Sequence, residues 1–206
     1  MNNDLYMYEH ELQANGIKYI GGVDEVGRGP LIGPVVAACV VLPISFELEG
    51  LTDSKKLSEK KRDQFYEYII NNCLAYAIGI IGPEEIDEIN IYQASKKAML
   101  LAIKEVQSKI QLEHVLIDAM PLEIDVSTTS IIKGDAKSIT IAAASVIAKV
   151  TRDKMMYELD EKNPNYGFGK HKGYPTKQHL LAIKKYGLIE GYRKSYGPVK
   201  EIINGY

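Results

Sequence analysis

Short apolar runs and helix-spaced apolar positions take turns along the chain, and their order predicts the elements. Ile20 to Val23 and Val35 to Leu42 read as two strands joined by a tight loop. Ser58 is placed to cap a helix over 59–72, and a third strand is expected over 74–81 before Gly82-Pro83 breaks it. From 83 to 110, Ile86, Ile89, Ala98, Leu101, Ala102 and Val106 recur at helical spacings, with Tyr92 and Gln93 near a junction of two helices. His114 to Asp118 is a short buried strand, and Val126 to Ile132 is another. Residues 136–159 are the most helical stretch, small and apolar enough over 141–148 to lie buried against a sheet. A last helix starts near Thr176 and runs to Tyr186. Leu5, Tyr8 and Leu12, with Gly16 behind them, predict a lead-in helix or packing arm over 1–16. The sum is an α/β fold: a central mixed sheet of five strands flanked by helices, with a helical C-terminal part.

The polar residues that interrupt this pattern carry the chemistry. Asp24 and Glu25 close the first strand, and two carboxylates there are costly to desolvate without a partner. A divalent cation is the usual one, and Mg²⁺ or Mn²⁺ takes hard oxygen ligands together with substrate phosphates. The loop that follows holds Gly27, Arg28, Gly29, Pro30, Gly33 and Pro34. Its glycines let backbone N–H groups approach a sugar or phosphate, and Arg28 brings a phosphate-matched fork. It is no dinucleotide fingerprint, because a strand rather than a helix follows the glycines. Metal, phosphate and close backbone approach together point to phosphoryl transfer on a nucleic acid. Neighbouring strand residues face opposite ways, so Glu25 must lie past the regular strand, sit at a bulge, or act through a bound water.

Asp118 is a second acid delivered at the end of an apolar strand; His114 at its start reads as a structural residue. Asp135, at the mouth of the next helix, reads by itself as an N-cap. Asp153 would lie about 27 Å further along a straight helix, too far to share a metal with Asp135, and reads as an ion-pair or capping residue. Lys55 and Lys56 precede the helix over 59–72, where a solvated pair and a phosphate contact are both open readings. Residues 163–176 interleave aromatic, basic and glycine residues, which suits either phosphate contact and stacking or a packed aromatic turn.

Composition narrows the class. Hydrophobic residues make up 46% and charged residues 25%, as in an ordinary globular domain, and the net charge is −2. A nucleic-acid enzyme of that charge must gather its basic residues, and 170–200 holds eight Lys or Arg against Glu190 alone. Cys39 and Cys73 sit in apolar contexts and read as reduced core thiols, which fits a cytoplasmic location. The polar, acidic N-terminus carries no signal peptide, and no apolar run approaches a membrane span.

The run Gly22-Val23-Asp24-Glu25-Val26-Gly27-Arg28-Gly29-Pro30-Leu31-Ile32-Gly33-Pro34-Val35-Val36-Ala37-Ala38 closely resembles the signature of type 2 ribonuclease H, ribonuclease HII. The resemblance extends over about residues 18–196 and includes the Asp53-Ser54-Lys55-Lys56-Leu57 string and Lys133-Gly134-Asp135 with the helix behind it. It implies a ribonuclease H-like fold in one catalytic domain over 17–206, with a substrate-contacting part at about 163–206. It implies catalytic, metal-binding roles for Asp24, Glu25, Asp118 and Asp135, with two Mn²⁺ or Mg²⁺ ions in the reacting complex. Substrate contacts are implied for Gly27, Arg28, Gly29 and Tyr174, with Lys55, Lys56 and Lys172 assigned to phosphate. The expected substrates are RNA–DNA hybrids and duplex DNA carrying single ribonucleotides, cut on the 5′ side to leave 3′-hydroxyl and 5′-phosphate ends. A monomer is expected, and a replication-clamp or polymerase partner is left open.

Other readings remain. A type 3 ribonuclease H would act mainly on longer hybrids; the Gly27-Arg28-Gly29 loop and the short stretch before the first strand weigh against it. Another metal-dependent nuclease or strand-transfer enzyme could use the same scaffold. A hybrid-binding module without catalysis would have no need to hold clustered carboxylates against phosphate.

Overall fold

The computed structural model describes residues 5–205. Its elements run α1 Met7–Ala14, β1 Ile20–Val26, β2 Val35–Val41, α2 Glu59–Asn72, β3 Ala75–Ile81, α3 Pro83–Gln107, β4 His114–Asp118, β5 Ser127–Ile131, α4 Ile139–Lys162, α5 Phe168–His171, α6 Lys177–Tyr186 and α7 Gly197–Ile203. The strands form one mixed sheet in the order β3-β2-β1-β4-β5. β1, β2 and β3 are an antiparallel meander, while β4 runs parallel to both β1 and β5. This is the central mixed sheet of five strands flanked by helices expected from the chain pattern.

The two faces of the sheet bury different layers. Val23, Ala37 and Cys39 pack with Ala98, Met99, Ala102 and Val106 of α3 on one face. Ala38 and Val40 pack with Ala142, Ala143, Val146 and Ile147 of α4, and with Phe65 and Ile69 of α2, on the other. α4 approaches β1 so closely that a Cβ on Gly22 would lie 2.5 Å from the Ile141 amide nitrogen. The absence of a side chain at Gly22 permits this contact, because a Cβ there would press on the Thr140 and Ile141 backbone.

The helix predicted from residue 136 begins instead at Ile139. Ser138 is its N-cap, with its Oγ accepting from the Ile141 N–H at 3.2 Å. Asp135 therefore does not cap it, and lies in a separate 3₁₀ turn over Gly134–Ala136 that follows the left-handed Lys133. The straight-helix separation of Asp135 from Asp153 falls with that boundary, but the role read for Asp153 holds: Lys149 Nζ contacts its Oδ1 at 2.7 Å. The expected junction in α3 is a kink at Asn90, whose Oδ1 accepts from the N–H groups of Tyr92 and Gln93. α1 is tied down by Glu9, whose Oε1 accepts from Ser138 Oγ at 2.5 Å and from the Thr140 hydroxyl at 2.7 Å. That places a carboxylate at the N-terminus of α4, where the helix dipole favours it. Residues 1–4 of the predicted lead-in lie outside the described residues.

The aromatic segment over 163–176 turns mostly inward. Tyr166 and Phe168 stack at 5.1 Å in a small second core with Ile32, Met156, Ile183 and Tyr192. His171 and His179 stack at 4.4 Å beside them. Of the aromatic rings in this segment only Tyr174 is exposed. The packed-turn reading describes Tyr166 and Phe168, because only burial lets large rings support a core otherwise short of apolar residues.

His179 links this small core to pH. It bonds the Tyr174 carbonyl at 2.9 Å and the Tyr192 hydroxyl at 2.8 Å, and burial pushes it down to about 4. A histidine depressed in the fold binds its proton more readily when unfolded. It thus contributes stability above its ordinary value near 6.5, which is lost as pH falls toward 4. Melting temperatures measured from pH 7 to pH 4 are expected to fall less steeply for His179→Gln than for the parent. Parallel curves would show that another group carries the acid sensitivity.

Candidate active site

Three chain segments converge at one end of the central strands. β1 supplies Asp24 and Glu25, β4 ends on Asp118, and the turn before α4 supplies Asp135. The parallel register pairs Val23 with Ile117, so Asp24 and Asp118 leave adjacent strands at the same level. Asp118 then fixes the next acid: its Oδ1 accepts from the Gly134 N–H at 2.6 Å, which holds the turn carrying Asp135. Asp24 and Asp135 are each 7% exposed.

β1 stays regular through these acids, with Asp24 opposite Ala38 and Glu25 opposite Ala37. That removes two of the three routes foreseen for Glu25, a position past the strand and a bulge. The Glu25 carboxylate lies on the opposite pleat from Asp24, with Arg28 Nη1 3.4 Å from its Oε1.

Electrostatics report how closely the acids are gathered. Burial raises Asp24 well above the usual carboxylate range, and the charges of Glu25, Asp118 and Asp135 push it further. Burial raises Glu25 as well, against the attraction of Arg28, and Asp118 adds to the rise. Asp135 is raised by burial and then by Asp53 and Asp118, while Lys55 opposes. For Lys55 itself, burial would lower the ammonium, but Asp24, Asp53, Asp135 and Asp118 outweigh it and raise its affinity for the proton.

The donor set fits a hard divalent cation. Glu25 Oε2 is buried with no hydrogen-bond partner among the described residues, an orphaned oxygen of the kind a cation satisfies. Among the described residues, no three acids or histidines stand close enough to ligate one ion as they are. Three of the four carboxylates are turned to a local donor, Asp24 to the Glu25 N–H at 2.7 Å, Asp118 to Gly134 and Glu25 to Arg28, while Asp135 lies against Asp53.

The glycine loop and Tyr174 meet beside these acids. Gly27 has φ +96°, and a Cβ there would press on the Arg152 side chain and lie 2.8 Å from the Pro34 carbonyl oxygen. A Cβ on Gly29 would sit 3.1 Å from Cε1 of Tyr174, so the half-exposed ring lies directly against the loop. The expected substrate residues divide. Arg28 reaches Glu25, and Lys55 reaches the acids from the turn at 53–56, where Asp53 Oδ1 accepts from its N–H at 2.9 Å. Lys56 is exposed and is not brought to the acids. Lys172, expected to contact phosphate, is turned inward to the Gly169 carbonyl and lies 3.5 Å from the centre of the Tyr157 ring. Its backbone is left-handed, with φ 51°, and the residue is 9% exposed.

A profile of the family described as Ribonuclease HII matches residues 21–196. A ribonuclease HII of Bacillus mycoides (strain KBAB4) is 57% identical over 200 residues, covering 97% of this chain and 77% of that protein. The chain belongs to the ribonuclease HII family. A Bacillus cereus (strain B4264) ribonuclease HII is 56% identical over the same length. The ribonuclease H2 structure from Pyrococcus horikoshii OT3 superposes with a TM-score of 0.74 at 26% identity, covering 90% of this chain and 97% of that one. The ribonuclease HII of the PCNA complex from Archaeoglobus fulgidus does so at 0.71 and 26%, covering 87% and 95%. Bst-RNase HIII, solved in complex with Mn²⁺, shares the fold at 0.68 with 15% identity, covering 91% and 70%. As a ribonuclease HII, this chain is a ribonuclease H-type endonuclease. No helix among the described residues is long and apolar enough to cross a membrane.

Several residues of this site escaped the sequence reading. Asp53 lies within hydrogen-bonding reach of Asp135, and its signal was the Asp53-Ser54-Lys55 string, read only for its lysines. Arg152 and Arg193 hold the glycine loop from beneath. Arg152 gave no distinct signal, set as it is among Lys149, Asp153 and Lys154 after the apolar run has ended; Arg193 looked like one more member of a basic surface run.

Gly27→Ala would force a strained left-handed residue into the Arg152 contact. A loss of about 3 kcal/mol is expected, a fall of roughly 6–12 °C in melting temperature. A change within 1 °C would show that the loop relaxes freely.

Proposed function

We propose that this ribonuclease HII hydrolyses the RNA strand of RNA–DNA hybrids and cuts 5′ of single ribonucleotides embedded in duplex DNA, leaving 3′-hydroxyl and 5′-phosphate ends. The contact of Tyr174 with Gly29 beside the acid cluster carries this reading, because it joins a sugar-sized aromatic face to a loop of free backbone donors at the reacting phosphate. A backbone N–H that meets the 2′-hydroxyl separates ribose from deoxyribose, and the Tyr174 ring favours deoxyribose on the following nucleotide.

Asp24, Glu25, Asp118 and Asp135 would hold two divalent ions, Mn²⁺ or Mg²⁺, with Asp24 shared between them. When bound, such ions supply an activated water and stabilise charge at the leaving oxygen. Asp118 orients Asp135 through the Gly134 N–H, and Lys55 adds positive charge where a phosphate would approach the acids. Arg28 is half-exposed at the loop tip, free to turn from Glu25 toward a phosphate. The PCNA complex of the Archaeoglobus fulgidus relative supports a sliding clamp as the class of protein partner. For the type 3 alternative, the structural likeness at 15% identity extends to the fold alone.

The test is cleavage of a labelled DNA duplex carrying one ribonucleotide, beside an all-DNA control, with Mg²⁺, Mn²⁺ or EDTA. A metal-dependent cut 5′ of the ribonucleotide with the control intact is expected. Cutting of long hybrids alone would favour type 3 specificity, and no cutting with either metal would leave a binding module. Asp24→Asn is expected to lower kcat by about 10³-fold or more with duplex binding retained, and near-parent activity would sink the ligand assignment. Tyr174→Ala should lose more activity on a single embedded ribonucleotide than on an all-RNA hybrid strand; equal losses would remove its sugar-sensing role.

A further inference from the structure

Arg152 and Arg193 are both fully buried, and among the described residues neither forms an ion pair with a carboxylate. Their hydrogen bonds go to main-chain carbonyls and to one tyrosine hydroxyl. Arg193 donates from Nη2 to the Gly27 carbonyl at 2.6 Å and from Nη1 to the Arg28 carbonyl at 3.0 Å. Its Nε and Nη2 also reach the Gly33 carbonyl, at 3.0 and 2.8 Å. Arg152 donates to Pro34, Ile32 and Lys172, joining the far side of the loop to the segment that carries Tyr174. Tyr196 completes the grip: its hydroxyl donates to the Arg28 carbonyl at 2.6 Å and accepts from Arg193 at 2.9 Å.

Two adjacent buried cations without counter-ions are an expensive way to stabilise a fold, since burial costs each several kcal/mol. Their shared target suggests what they achieve. The carbonyl of Gly27 and the N–H of Arg28 belong to one planar peptide unit and point in opposite directions. Pulling the Gly27 oxygen down onto Arg193 therefore turns the Arg28 N–H away from the core. The same grip on the Arg28 oxygen turns the Gly29 N–H outward, next to the Tyr174 ring. Neither N–H has an acceptor among the described residues.

We propose that Arg193, with Tyr196 and Arg152, is a positioning residue that aims the Arg28 and Gly29 N–H groups at the substrate sugar and so determines ribose selectivity. This rests on the proposed reading of the loop as the 2′-hydroxyl sensor. A lysine cannot replace the fork, because one ammonium cannot hold two consecutive carbonyls in a fixed plane.

The test uses the full chain as Arg193→Lys and Tyr196→Phe, with the parent. Three quantities are measured for each: kcat/KM on duplex DNA with one ribonucleotide, Kd for the all-DNA duplex, and melting temperature. In Arg193→Lys, kcat/KM is expected to fall about 100-fold, as for a misplaced catalytic contact, with all-DNA affinity within about 2-fold of the parent. Tyr196→Phe removes one of the hydrogen bonds to the Arg28 carbonyl and should lose roughly 5–10-fold in kcat/KM at a nearly unchanged melting temperature. Parent-like selectivity in a folded Arg193→Lys overturns the inference, as does an equal weakening of cleavage and all-DNA binding, the mark of a merely structural role. If Arg193→Lys does not fold, Tyr196→Phe alone decides on the same criteria. A parent that cannot distinguish the two duplexes would refute the sensor reading itself, a result separable from any variant's behaviour.

Discussion

The parallel pairing of β1 with β4 is the constraint on which the site depends. Asp24 and Asp118 stand side by side because Val23 is registered against Ile117. A one-residue slip would send one of the two acids to the opposite face of the sheet. Register is secured by burial on both faces, with α3 beneath Val23 and α4 against Gly22. The apolar core thus does more than stabilise: it holds several like charges at one edge, where each raises the proton affinity of its neighbours. An arrangement so unfavourable by itself has a physical rationale once a divalent cation and a phosphate complete it.

The opposite problem is met beneath the glycine loop. There two positive charges are buried and answered by dipoles rather than by carboxylates. Glycine permits the φ of +96° at residue 27, but permission does not select a conformation. The guanidinium forks select it by engaging carbonyls of the loop one after another. Acids that need cations thus lie beside carbonyls that hold cations, and the two halves of the site meet where Tyr174 rests on Gly29. The small C-terminal core of Tyr166, Phe168, His179 and Tyr192 carries both Tyr174 and Arg193 to that point.

Much of this was legible in the chain. The five strands, the Ser58 cap, the helix start near Thr176, the junction in α3 and Asp118 at the end of its strand all followed from local pattern, because such features are decided by residues within a few positions of them. Expectations failed where a side chain had two environments open to it. Lys172 and Arg193 belonged to a basic run that reads as surface, and both are buried. Asp135 taken by itself also allowed a cap, a role that Ser138 fills instead.

The sequence alone therefore determined the element order, the glycine loop and the carboxylate that ends β4, since these depend on periodicity and on the chemistry of neighbouring residues. Tertiary structure alone decided that Asp53 and Lys55 join Asp135, that Glu25 stays within the regular strand, and that two distant arginines turn the loop's carbonyls inward. Those outcomes depend on contacts across as many as 166 positions of chain, as between Arg193 and Gly27, and on which side chain reaches a buried polar group first. No local pattern encodes that competition, because it is settled by packing.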